Sequence, residues 1–393
     1  MSSIRKIKSS QYSSRNRVRL IKGGLSYFSL LQELIDKATE SIYLQYYIFE
    51  DDETGMEVIT ALRAALRRGV SVYLHIDAYA SQGLDKRTLA AMREAGIYVK
   101  RFGPLLKSKH FYFGRRMHHK VVVVDGIYSL VGGINVSNRY NDMPGDPAWL
   151  DMALYCEGEA SFTLQTNCRL LWGAKRRLPV TKREKVDEFC DQIPESEHTF
   201  VRVRRNDWVK RKNEISGSYL EMFREAESNI TIMCSYFLPG MLFRRKILQC
   251  RKRGVQVKVI LAGNSDVMIA KHAERYLYDW MLKNNIEIYE YQETVLHAKL
   301  AVYDSAWVTI GSYNVNNISA YVSLELNMDV KNNRFASLVE EELAGIIRAN
   351  CKKITAENYT ASTGFFRKLW QRFCYGFIKN TLNLITFYFK QER

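Results

Sequence analysis

The chain has 393 residues, 47% of them hydrophobic and only 6 of them proline, enough to bury one large core or two ordinary ones and too apolar for a disordered protein. Its formal charge of +16 selects for an anionic partner, which nucleic acid, an acidic membrane surface or a phosphorylated substrate could each supply. The seven cysteines (156, 168, 190, 234, 250, 351 and 374) are odd in number and never spaced as C-x-x-C, which argues against a disulfide framework or a zinc site.

In chain order, the basic, Ser-rich stretch over residues 1–16 lacks the apolar run of a secretory signal or a membrane span and reads as a solvated, lipid-facing arm. A helix is expected at YFSLLQELIDKA, then an apolar strand in SIYLQYYIF. A basic helix closed at Arg67-Arg68-Gly69-Val70 and a second strand, VSVYLHID, follow. Strand, helix, strand is the grammar of a βαβ unit. A helix at TLAAMREAG leads to the strand IYVKRFG, and then comes MHHKVVVVDGIYSLVGGIN.

A polar, charge-rich stretch over 176–198 separates this half from a second one with the same grammar. There SYLEMFREAE is followed by NITIMCSYFLP, RRKILQCRKRGVQVKVILAG, ERYLYDWMLKN, IEIYEYQ and VLHAKLAVYDSAWVTIGSYN. The spacing predicts two similar α/β halves, 17–175 and 199–355, and a tail over 356–393.

The two motifs match at five offsets: His118, Lys120, Asp125, Gly132 and Asn135 against His297, Lys299, Asp304, Gly311 and Asn314. On a strand, residues i and i+2 share a face, so each histidine projects with its lysine. The apolar strand after each aspartate forms a hairpin that returns the asparagine toward the histidine. Small residues at Gly133 and Ser312 would let a bulky anion approach the backbone. Paired across a two-fold interface, the histidines, lysines and asparagines would surround a phosphate, one imidazole attacking phosphorus while the other protonates the leaving alcohol. Asp125 and Asp304, though part of the catalytic motif, stand where buried strands turn and are expected mainly to hold that loop. His119, on the opposite strand face, is expected to be structural.

H-x-K-x4-D followed by G-G/S-x-N, present twice, resembles the phospholipase D superfamily over about Val18 to Asn350. YYIFEDDETG, NSDVMIAKHAERYLYDW and VLHAKLAVYD with GSYN are similar to the compact cardiolipin synthases that lack N-terminal membrane spans. The resemblance implies a pseudo-two-fold, bilobed phospholipase D fold with one shared active site, no metal and no cofactor. It implies phosphatidyl transfer from phosphatidylglycerol to cardiolipin through a phosphohistidine, the nucleophile being His118 by analogy. Hydrolysis of phospholipid or nucleic acid by a phospholipase D or phosphodiesterase is the alternative. An acidic residue that orients each histidine is implied downstream, Asp151 in the first half and Glu325 in the second. Ile318 stands where many synthases carry arginine.

The tail places Phe366, Trp370, Phe373 and Phe377 at helical spacing opposite Arg367, Lys368 and Arg372, as an interfacial helix would. Its four basic residues before Asn380 disfavour a span. Basic clusters at Lys107, Lys109, Arg115 and Arg116, at Arg202, Arg204 and Arg205, at Arg244 to Lys246, and at Arg251 to Arg253 would add attraction to acidic lipid. The expected partner is therefore an anionic phospholipid membrane, approached peripherally from its cytoplasmic side, with nucleic acid disfavoured by the aromatic tail and the lack of a DNA-reading motif.

Overall fold

The computed structural model describes residues 12–103, 115–173, 181–316, 319–320 and 322–391. Most of the N-terminal arm, Lys107, Lys109, Ile318 and the start of the 176–198 stretch lie outside them.

Strand formation follows the β-branched runs. The first half supplies β1 (Asn16–Lys22), β2 (Ser41–Tyr46), β3 (Ser71–Asp77), β4 (Tyr98–Phe102), β5 (Lys120–Val124), β6 (Tyr128–Gly132) and β7 (Met152–Gly158). The second supplies β8 (Phe200–Asp207), β9 (Lys212–Asn213), β10 (Asn229–Cys234), β11 (Gln256–Asn264), β12 (Glu287–Val295), β13 (Lys299–Tyr303), β14 (Trp307–Gly311), β15 (Glu325–Lys331) and β16 (Cys351–Ile354). Among the described residues the first sheet runs β1-β7-β6-β5-β2-β3-β4 and the second β16-β12-β11-β10-β13-β14-β15-β8-β9. Setting aside β16 and β9, the second order read backwards repeats the first strand for strand. β2 to β4 and β10 to β12 are parallel, joined by helices such as Glu53–Arg67 and Met241–Lys252, while each motif forms an antiparallel hairpin, β5-β6 or β13-β14. The connecting helices end at Gly69 (φ 87°) and Gly254 (φ 90°), a left-handed turn that a side chain would strain.

The two sheets pack face to face. Alternation along β5 sends Val121 and Val123 into a core shared with Leu300, Val302, Val308 and Leu326 of the other half, while Val122 and Val124 pack among the helices of their own half. Each such side chain contributes about 1.5–3 kcal/mol by leaving water. The helices Glu159–Trp172 and Asn333–Asn350 close the shared core through Leu164 and Leu343.

Three segments differ from expectation. Residues 12–16 are docked rather than solvated: the Arg202 guanidinium lies 4.5 Å over the Tyr12 ring, Ser13 bridges to Val201, and Asn16 is fully buried. An aromatic ring and a strand edge outweigh the basic composition of the arm. The charged stretch before the second half holds the helix Arg183–Cys190, which is strapped onto the first half. Val186 and Cys190 pack against Ile127, and Thr181 Oγ1 donates to Asp125 O at 2.7 Å. The tail helix Phe365–Gln391 lies on the helix Met268–Tyr276, burying Gln371 and Cys374 while Phe366, Trp370, Phe373 and Phe377 stay at least half exposed. No helix among the described residues is long and apolar enough to cross a membrane.

Candidate active site

Each H-x-K pair sits where its motif strand begins, and the backbone there is stitched to the opposite half. His118 N donates to Leu324 O at 2.9 Å and Leu324 N to Arg116 O at 2.8 Å. In the mirrored pair, His297 N donates to Leu150 O at 2.7 Å and Leu150 N to Val295 O at 2.9 Å. Leu324 and Leu150 immediately precede Glu325 and Asp151, so this stitching delivers each carboxylate to the other half's histidine.

The side chains complete the crossing. His118 Nδ1 donates to Glu325 Oε2 at 2.9 Å, and His297 Nδ1 donates to Asp151 Oδ2 at 2.6 Å. Pairing by half, as the sequence suggested, is therefore replaced by pairing across the interface. Both carboxylates are fully buried. With each Nδ1 committed as a donor, Nε2 is the ring nitrogen left to carry a lone pair toward the cleft.

Burial drives the electrostatics. It lowers the pKa of His118, an effect Glu325 opposes and Lys120 reinforces. Burial and then Lys299 bring His297 down to about 4 against the pull of Asp151. Lys120 and Lys299 are lowered as well, chiefly by burial. A buried pocket holding two imidazoles and two ammonium groups favours an anion in its centre.

The two lysines have unlike surroundings. Lys120 Nζ donates to His118 O at 2.9 Å and lies 4.9 Å from the Tyr47 ring centroid, and that ring also meets His118 edge-on. Lys299 Nζ donates to Ser235 Oγ at 2.9 Å and to His297 O. Tyr140 and Trp149 form the aromatic wall beside His297. Neither Tyr47 nor Ser235 was singled out from the sequence; they occupy equivalent places one residue beyond β2 and β10, a signal an alignment of the two halves contains.

The remaining motif residues engage the loops and carboxylates around the imidazoles. Asp125 is remote from the imidazoles: with φ 51° it turns the hairpin and accepts from Thr39 N, Thr39 Oγ1, Glu40 N and Ser41 N, each at 2.8 Å. Asp304 does the same with φ 49° for Glu227 N, Ser228 N and Asn229 N. Both are loop anchors rather than catalytic groups. Gly133 faces the protein's own anion, since a Cβ there would lie 2.4 Å from Asp151 Oδ1. Ser312 Oγ donates to Glu325 Oε2 at 2.5 Å. Gly133 thus leaves room for one orienting carboxylate, and Ser312 holds the other.

Asn135 Oδ1 accepts from Ile48 N at 3.0 Å and its Nδ2 donates to Tyr140 Oη at 2.9 Å, while Asn314 Oδ1 accepts from Cys234 Sγ. Both asparagines brace the loops that flank the site. His119 Nδ1 pairs with Gln45 Oε1 at 2.8 Å, away from the motif face.

Three arginines of the basic clusters are engaged within the fold. Arg202 and Arg204 are buried against Asp329 and Glu221, and Arg115 makes two 3.0 Å bonds to Asp207. Their charge is spent on carboxylates within the fold.

A strand-borne H-x-K presented twice about a pseudo-two-fold, each histidine fixed by a buried carboxylate, defines a phosphoryl-transfer enzyme of the phospholipase D class. The family model described as cardiolipin synthase, PLD-like domain, matches residues 31–149 and 219–347. Cardiolipin synthase B of Salmonella typhimurium is 32% identical over 343 residues, covering 86% of this chain and 82% of that one. Its counterpart in Escherichia coli K12 is 30% identical over the same coverage. The probable cardiolipin synthase YwiE of Bacillus subtilis is 27% identical over 80% of this chain and 63% of its own. A phosphatidylserine synthase from Haemophilus influenzae shares the fold, with TM-score 0.71 and 13% identity over 96% and 95% of the two chains.

The chain belongs to the cardiolipin synthase family, a group of phosphatidyltransferases that act on phospholipids.

Proposed function

We propose that the enzyme transfers a phosphatidyl group between two phosphatidylglycerol molecules by way of a phosphohistidine on His118. The observation that carries this reading is the crossed pairing, which commits both Nδ1 atoms to carboxylates and leaves each Nε2 as the ring nitrogen available for chemistry at phosphorus. His118 Nε2 attacks phosphorus, the bond to the glycerol headgroup breaks, and protonated His297 gives that oxygen its proton. His297, now neutral, takes the proton from a hydroxyl of the second phosphatidylglycerol. That oxygen displaces His118, forming cardiolipin and restoring the free imidazole.

The depressed affinities for protons fit this cycle. Burial favours the neutral form of His118, as a nucleophile requires, and also of His297, which must gain a proton. The phosphodiester carries the negative charge that raises the proton affinity of His297 and the lysines on entry. Lys120 and Lys299 would hold the phosphoryl oxygens, with charge-assisted donation strengthening as charge develops in the transition state.

We infer further that the enzyme works from the cytoplasmic face of an anionic membrane. The exposed aromatic stripe of the tail and the net charge support it. Mass spectrometry of lipids after incubation with phosphatidylglycerol vesicles tests the whole reading. Wild type should form cardiolipin and release glycerol, and His118→Ala and His297→Ala should each lower that rate at least about a hundredfold. Phosphatidic acid as the sole product would replace transfer with hydrolysis.

A further inference from the structure

Away from the paired histidines, a cavity of about 660 Å³ opens between the N-terminus of the helix Met241–Lys252, the helix Tyr278–Lys283 and the tail helix. Its walls carry Arg244, Lys283 and Lys379 together with the aromatic rings of Tyr276, Trp280 and Tyr375. We propose that this cavity binds the phosphodiester headgroup of an anionic glycerophospholipid, as a second lipid site distinct from the catalytic one. This rests on the membrane reading above and deepens it, by naming a particular place where the lipid is held.

Chemistry and position both favour that occupant. Arg244 lies 5.1 Å over the Trp280 ring and donates to Tyr375 Oη at 3.3 Å, which fixes its guanidinium at the cavity wall. Among the described residues no carboxylate lies within ion-pair distance of Arg244, Lys283 or Lys379. Asp279, the acidic residue on the lining, is paired with Lys368 at 3.5 Å. Three cations without an ion-pair partner among the described residues, one of them over an aromatic ring, suit a phosphate flanked by glycerol carbons.

The rim is apolar. Met241, on the lining, is 78% exposed, and Leu242, next to it in the chain, is about half exposed, where acyl chains of a bilayer-held lipid would lie. A free phosphate would have no use for that rim. On the inner side, Leu238 N donates to Val315 O at 2.9 Å, so the cavity wall continues directly into the loop that follows Asn314. A lipid held there would keep the mouth of the second motif at the membrane surface.

The full chain is tested by co-sedimentation with vesicles of phosphatidylglycerol in phosphatidylcholine, and with vesicles of phosphatidylcholine alone. Arg244→Ala/Lys379→Ala and the uncharged cavity change Trp280→Ala should each weaken binding to the anionic vesicles by about tenfold or more. Binding to the neutral vesicles, which reads the apolar tail, should stay within about twofold. Turnover of monomeric short-chain phosphatidylglycerol should not change in these variants, and that arm reports separately on the proposed transfer reaction.

Arg245→Ala/Lys252→Ala removes the same charge from exposed positions on the same helix outside the cavity. A loss in this control equal to that in Arg244→Ala/Lys379→Ala would overturn the site in favour of diffuse attraction. So would full anionic binding by Trp280→Ala. Displacement of the vesicles by millimolar inorganic phosphate would reassign the cavity to free phosphate and overturn the lipid reading.

Discussion

Glu325 accepts from two donors at one oxygen, His118 Nδ1 and Ser312 Oγ, and its place in the chemistry can be read from that geometry. Glu325→Gln removes the charge that steadies His118 and should lower transfer by at least about a hundredfold. The sharper measurement is NMR titration of the imidazoles. Glu325 raises the proton affinity of His118, so its replacement should push the His118 pKa further down and leave His297 near its wild-type value. Asp151→Asn should do the reverse. A same-half pairing would exchange the two results.

Asp125→Ala, by contrast, orphans three backbone N–H groups and a hydroxyl far from the imidazoles. It should cost about 2–4 kcal/mol in a denaturant titration while the folded fraction keeps its turnover.

At the scale of elements, the motif strands, their hairpins and the βαβ order were legible in the sequence because each has a local signal. Short apolar runs mark the strands, Gly69 and Gly254 mark the helix ends, and i, i+2 spacing puts histidine and lysine on one face. The crossing of the carboxylates was not legible, because His118 and Glu325 stand 207 residues apart and no local rule reports a contact of that range. The strap helix was hidden for a different reason: Val186, Phe189 and Cys190 are three apolar side chains in a charged stretch, too few to register against it.

The tail was legible as an amphipathic helix; one face is covered by the body, with Gln371 and Cys374 inward, while the phenylalanines stay outward and exposed. Phe366→Asp/Phe373→Asp should weaken vesicle binding at least tenfold, at about 1.4 kcal/mol per factor of ten. Its melting temperature should match wild type, since both rings are already exposed to water in the fold.

For the molecule as a whole, burial of neutral histidines predicts how it responds to acid. His75 and His119 are lowered to about 3, and His297 to about 4, in each case first by burial. An unfolded chain would protonate all three near pH 6.5. Between about pH 6.5 and pH 4 the unfolded state therefore binds more protons than the folded one, and stability must fall as pH falls through that window. Neither ring nitrogen of His75 has a hydrogen-bond partner among the described residues, and the ring packs near Phe102 and Trp172. His75→Phe should raise the melting temperature at pH 5 more than at pH 8; equal shifts at the two values would contradict the assignment.

The crossed pairing also governs when the protein becomes reactive. During synthesis His118 emerges long before Glu325, and His297 emerges after Asp151 but is aligned with it only once β7 meets the second half. Neither imidazole of a half-made chain is held as an acid or a nucleophile. The full set of oriented imidazoles therefore exists only once β15, which begins at Glu325, has docked.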